Sequence, residues 1–190
     1  MKDTEQLLSQ FEKYSGVLKK VIGPEPAKDL CESLGERLLM CPRGTTEENG
    51  GHPGELLAFS LEVASISKSL SKTFGNTKSL VKVSLLHELG KVGGLSPDED
   101  LYLIQDSEWH REKLGQVYKY NDKCPKMNTA HRSLWLLSHF GIDLSREEWE
   151  AINVSQGLHL PENQFYANCL NPISAGLLSS RLSVLHKQNS

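Results

Sequence analysis

Apolar residues recur three and four positions apart along most of this chain, the spacing that gathers them on one face of an α-helix. Leu7, Phe11, Tyr14, Leu18 and Val21 set the rhythm and predict a helix that ends before Gly23 and Pro24. Leu30, Leu34, Leu38 and Leu39 form a second stripe that stops near Cys41 and Pro42, where the polar, glycine-rich stretch RGTTEENGGHPG reads as a loop. Beyond Pro53, GELLAFSLEVASISKSLSKTF predicts a long, largely buried helix and TKSLVKVSLLHELG another. Residues 91 to 128, with Gly93, Gly94, Pro97 and Pro125, read mostly as loop around a short helix near Trp109 to Tyr118. AHRSLWLLSHFG is the next helix, and Ser145 with Glu148 spells a capping box that opens REEWEAINVS. PISAGLLSSRLSVLHK supplies the last, with Pro172 suited to a first turn. No useful alternating pattern, internal repeat or low-complexity tract interrupts this series. The expectation is an all-α bundle of about six to eight helices with a long irregular loop near its middle.

A chain of 190 residues suits one domain spanning 1–190, its first two helices (1–41) packing on a core at 42–188. With 38% hydrophobic and 24% charged residues it lies far from disordered composition. A net charge of −3 supplies no global positive field, so non-specific nucleic-acid binding is not expected. No apolar run approaches the roughly 20 residues of a membrane span, and the polar N-terminal stretch does not read as a signal peptide, so a cytoplasmic protein is expected. Cys31, Cys41, Cys124 and Cys169 show neither a CxxC pair nor the spacing of a disulfide framework and read as free thiols.

Chemistry is sought first among the seven histidines, because neutral imidazole is a common metal ligand and a ready general base. They are His52, His87, His110, His131, His139, His159 and His186, and one has a specific context. In VSLLHELGKVG, His87 and Glu88 stand side by side at the end of an apolar helix, followed by Gly90 and Lys91.

This segment resembles the signature of the HD-domain metal-dependent phosphohydrolases, in which a helix ends in a His-Asp pair often followed by a Gly-Lys step. PGELLAFSLEVASISKSLS is similar to the family's earlier helix, and HRSLWLLSHFGIDLSREEWEAINVSQG to a downstream stretch opened by a histidine, here His131. The likeness covers roughly residues 36 to 186. It implies an HD-like bundle in which a divalent ion, chelated by the pair, by an earlier histidine and by a late aspartate, activates water against a phosphoester. Nucleotides are frequent substrates in the family. The departures are concrete: Phe59 stands at the earlier histidine position, Glu88 replaces the aspartate, and Ser179 and Ser180 occupy the late Ala-Asp step. Phenylalanine has no lone pair, a neutral serine is a poor replacement for an anionic ligand, and the extra methylene of glutamate shifts its carboxylate by about 1.5 Å against a tolerance of roughly 0.2 Å.

His87 and Glu88 are therefore the metal-site candidates, with a divalent metal expected only if the site survives. His52 and His131 could complete a rearranged set, although Pro53 and Gly54 interrupt the helix that would carry His52. Lys91, His131 and Arg132 are the candidates for an anionic ligand, Arg132 through bidentate phosphate contacts. Trp109, Tyr118 and Tyr120 could stack on a base or pack the loop onto the core, and His159 could enter from a loop. No nucleophile elbow, P-loop or dinucleotide fingerprint is present. The implied function is that of a catalytically degenerate HD-domain protein binding a nucleotide or a protein partner, without catalytic residues. The alternatives are an active metal-dependent nucleotide phosphohydrolase rearranged around His87 and Glu88, and a helical scaffold subunit, with a homodimer plausible by analogy. A pocket filled by aromatic side chains would favour scaffold, and an open basic one nucleotide binding.

Overall fold

The computed structural model describes residues 3–188, which fold as an all-α bundle with one minor two-stranded sheet. Helix α1 (Thr4–Ile22) opens with a capping box between Asp3 and Gln6. It ends at Gly23, whose φ of 96° turns the chain directly into Pro24 at the start of α2 (Pro24–Met40). The stripe read from the sequence is the buried face of α1, where Leu7, Tyr14, Leu18 and Val21 pack inward.

Helices α3 (Glu55–Phe74), α4 (Thr77–Leu86) and α8 (Pro172–Gln188) form the centre of the bundle. Leu80, Val81, Val83, Ser84, Leu85 and Leu86 of α4 are all buried, so the later turns of this helix are largely enclosed and its end lies inside the protein. The N-terminal hairpin packs on this centre: α1 lies against α3 and α4, and the Tyr14 hydroxyl donates to Leu85 O at 2.9 Å. Helices α6 (Thr129–His139) and α7 (Arg146–Asn153) close the opposite side, α6 against the turn after α4 and α7 against α8. Ser145 and Glu148 form the expected capping box, and α8 begins at Pro172.

The stretch after α4 is more ordered than its composition predicts. Strand β1 (Tyr102–Ile104) pairs antiparallel with β2 (Tyr118–Tyr120), Tyr102 opposite Tyr120. Between them α5 (Glu108–Leu114) stops at Gly115 in the left-handed region, short of the expected Tyr118. Two strands of three residues are too short to generate a period-two signal, which is why the pattern reading found no strand. All four cysteines are unpaired, and among the described residues no helix is long and apolar enough to cross a membrane.

Candidate functional site

His87 and Glu88 follow the last turn of α4, and both are fully buried. Their placement follows from an apolar helix driven into the core and then stopped: α4 passes into a 3-10 turn at Leu89–Val92, and that turn docks on the first turn of α6. Gly90 makes the docking possible, since a Cβ there would lie 2.4 Å from Thr129 O and 2.7 Å from Ser133 N. The Ser133 hydroxyl accepts from Gly90 N–H at 2.8 Å and donates to His87 O at 3.0 Å. The glycine of the Gly-Lys step thus has a packing reason independent of any ligand.

The Glu88 carboxylate sits among cations drawn from three parts of the chain. Arg181 of α8 donates to Oε1 through Nε (3.3 Å) and an Nη (3.1 Å), and Lys91 Nζ lies 3.2 Å from Oε2. Arg43, from the loop after α2, adds a third positive charge to its surroundings. Burial by itself pushes the Glu88 carboxyl up, but these cations, Lys91 foremost, more than offset it and hold the group ionised, well below the usual carboxylate range. Lys91 also donates to Arg43 O at 2.6 Å, which ties the loop after α2 to the turn after α4.

Phe59, fully buried on α3, fills the space beside His87, their rings 6.1 Å apart, and the Arg43 guanidinium lies over the phenyl ring at 4.5 Å. His87 donates from Nδ1 to Ser84 O at 2.9 Å, which leaves the Nε2 lone pair buried without a hydrogen-bond partner. Burial, ahead of the neighbouring charges, pulls the imidazole down to about 4, so it is neutral at pH 7. Below it, the hydroxyls of Ser67, Ser84 and Ser180 are hydrogen-bonded at 2.7 and 2.8 Å and join α3, α4 and α8 through a polar contact sealed from water.

Of the other candidates, Lys91 lies against Glu88, but the histidines and Arg132 do not gather around this pair. His131 is exposed, with its backbone N–H taken by the Asn128 cap, and His52 is half-buried. Among the described residues no three histidine, cysteine, aspartate or glutamate side chains converge on a common point, so the rearranged set of His52, His87, Glu88 and His131 is not assembled. The reason is the one that the sequence hinted at: α3 begins at Glu55, after His52, and His131 lies on the outer face of α6. Arg132 is buried, and its guanidinium donates to Gly90 O, Pro125 O and Met127 O, which makes it a brace between α6 and the loop before it. It lines an open depression of 630 Å³, but its terminal donors are directed at those carbonyls. Lys91 lines a cavity of 210 Å³ with Tyr102 and Tyr118, below the roughly 300 Å³ at which small-molecule pockets begin. Trp109, Tyr120 and His159 are exposed.

Arg181 and Arg43 are the residues that sequence reasoning missed. A carboxylate at the end of an apolar helix demands a buried cation, and Arg181 is the one basic residue between Pro172 and Val184. That demand, read together with LLSSRLSVL, could have found it. The donor set does not fit a divalent metal: two adjacent donors remain, one already carries two cations at contact distance, and a phenyl ring occupies the space beside the other. Compared with protein-family models, curated proteins and solved structures, the chain gives no significant match.

Proposed function

We propose that this chain is a catalytically inactive, HD-like domain that works by binding a protein partner, its inherited centre reduced to an internal clasp. The observation that carries this reading is the fully buried Glu88 carboxylate held by Arg181 of the last helix and by Lys91. In a metal hydrolase of the resembled kind, positive charge at this point comes from the ion, and the late helix contributes an anion. Here the late helix contributes a guanidinium, so the positive charge is already covalently built in. An incoming divalent cation would meet Arg181, Lys91 and Arg43 before it met a second carboxylate.

The same arrangement favours a protein partner over a nucleotide. The cations are turned inward onto Glu88, Phe59 fills the adjoining space, and neither His87 nor Glu88 has any exposed surface for a phosphate to touch. The chemistry left to these residues is that of a staple joining α3, α4, α8 and the loop after α2.

Elemental analysis of protein purified without chelator, paired with Mn²⁺ titration and a screen for phosphate release from nucleotides, tests this reading. Substoichiometric metal and no metal-stimulated hydrolysis are expected. About one equivalent of transition metal, lost in His87→Ala, would overturn it and restore the hydrolase.

A further inference from the structure

A trough of 510 Å³ runs between α1 and α3 and ends at the start of α4, on a different part of the surface from the His87–Glu88 clasp. Its floor is apolar, made by Val17 and Val21 of α1, Leu61 and Ala64 of α3, and Val81 of α4. Its rim carries Lys13, Lys20, Lys68 and Lys78, all exposed, and no aspartate or glutamate lines it. None of the four lysines forms an ion pair among the described residues. In a chain of net charge −3, a cluster of four unpaired lysines around an apolar floor is a local reversal of the overall sign.

We infer that this trough is the docking site for an acidic amphipathic helix of a partner protein. The inference rests on the protein-binding reading above and supplies the chemistry of the partner. Charge complementarity selects the sign: lysine ammonium groups at the edge of an apolar strip favour carboxylates flanking an apolar stripe. Shape favours a helix. On α1, Lys13, Val17 and Val21 are spaced by four, and on α3, Leu61, Ala64, Ser65 and Lys68 follow at three, four and seven, so two parallel ridges bound a groove of helical pitch. The ridges run for seven or eight residues, about 11 Å at 1.5 Å per residue, which is two turns of an incoming helix. A third helix laid there would complete a layer that α1 and α3 leave open, the helix-in-groove mode of recognition.

Polarity along the trough also orients the occupant. Beyond Lys13 it continues into a depression of 790 Å³ between the same two helices, lined by Asp3, Glu5 and Glu62. Carboxylates of the partner therefore belong over the Lys20–Lys78 end, and any basic residue belongs toward Asp3. A free anionic lipid satisfies this arrangement less well, because an open trough leaves one side of an acyl chain in water, whereas the outer face of an amphipathic helix is polar.

The test uses the full chain and a fluorescein-labelled peptide of about 14 residues, four helical turns, with leucines at i, i+3, i+4 and i+7 flanked by glutamates. A second peptide carries lysines in place of the glutamates. Saturable anisotropy with the acidic peptide alone, weakened by salt and at least about tenfold weaker in the K20E/K68E/K78E variant, is the expected result. The three lysines are exposed, and far-UV circular dichroism checks that the variant folds; should it not, the contrast between the two peptides and the salt dependence in the unaltered protein still decide. Equal binding of both peptides, or no binding by either, overturns the inference. So does displacement of the peptide by monomeric oleate at lower concentration than by unlabelled peptide, which would assign the trough to an anionic amphiphile. Concentration-dependent dimerisation of the protein alone, lost in the triple variant, would assign it to a second copy and overturn it as well. None of these outcomes depends on the metal and hydrolysis assays, so failure here leaves the inactive-domain reading standing, and the two failures are told apart.

Discussion

Two clusters of positive charge in this protein do opposite work. Arg181 and Lys91 contact a buried carboxylate, with Arg43 adding to the positive charge around it, whereas Lys13, Lys20, Lys68 and Lys78 surround a partly open apolar floor and form no ion pair among the described residues. Charge that is buried and paired costs desolvation on both sides, and what it returns is a fixed register between the elements that contribute it. Charge at an exposed rim costs little to keep and returns little to folding, but it is free to steer and select a partner. The residues of the resemblance belong to the first cluster, and the proposed recognition belongs to the second.

The largest expected effect breaks the inner cluster. Glu88→Ala leaves Arg181 and Lys91 without the buried carboxylate that both contact, and unfolding in urea should show a loss of about 3–5 kcal/mol. Replacing both ends of the pair in Glu88→Leu/Arg181→Met should recover part of that loss, because one of the two contacting cations is then gone while Lys91 stays. Failure of the double variant to recover any stability would mean that Glu88 acts through something other than its cations.

Next in size is the pH response of His87. Its folded value of about 4 lies below the ordinary 6.5, so between those limits the unfolded chain binds the proton more readily. The contribution is fully present above pH 6.5 and is lost as the pH falls toward 4, on the order of 3 kcal/mol. The Glu88 carboxylate beside this ring is held ionised through that window, so the loss belongs to the imidazole. The carboxylate adds a loss of the same sign at lower pH, because its folded value is held below the ordinary one. Denaturation midpoints at pH 7.5 and 5 should differ more for the unaltered protein than for His87→Leu, and equal differences would show that the ring is hydrated in solution.

Much of this was legible in the sequence, and what was not has a common cause. The stripe of α1, the stop at Gly23–Pro24, the capping box at Ser145 and the long helix after Pro53 are local signals, set within a turn or two, and the fold follows them. The hairpin of β1 and β2 escaped because its pairing joins residues 102–104 to 118–120 across α5, and three-residue strands carry no period of their own. The inner cluster escaped for the same reason on a longer scale: Arg181 meets Glu88 across 93 residues, and no local pattern announces that contact. Arg132 illustrates the converse. At the opening of α6 it reads as a phosphate ligand, yet three carbonyls from the loop before it and from Gly90 hold it inside the protein.

The smallest expected effect sharpens the comparison most, because it separates the two clusters by what they do not share. Reversing Lys20, Lys68 and Lys78 together removes no ion pair among the described residues, so each change should move folding stability by no more than about 0.5 kcal/mol. No net gain is expected, since three glutamates in one trough repel one another much as the lysines did. If urea unfolding of the triple variant shows this near-neutral response while its affinity for an acidic helix collapses, stability and recognition reside in different charges of the same molecule. A loss comparable to that of Glu88→Ala would instead mean that the lysines are structural partners of a segment folded onto them, and the trough would then have no room for a guest.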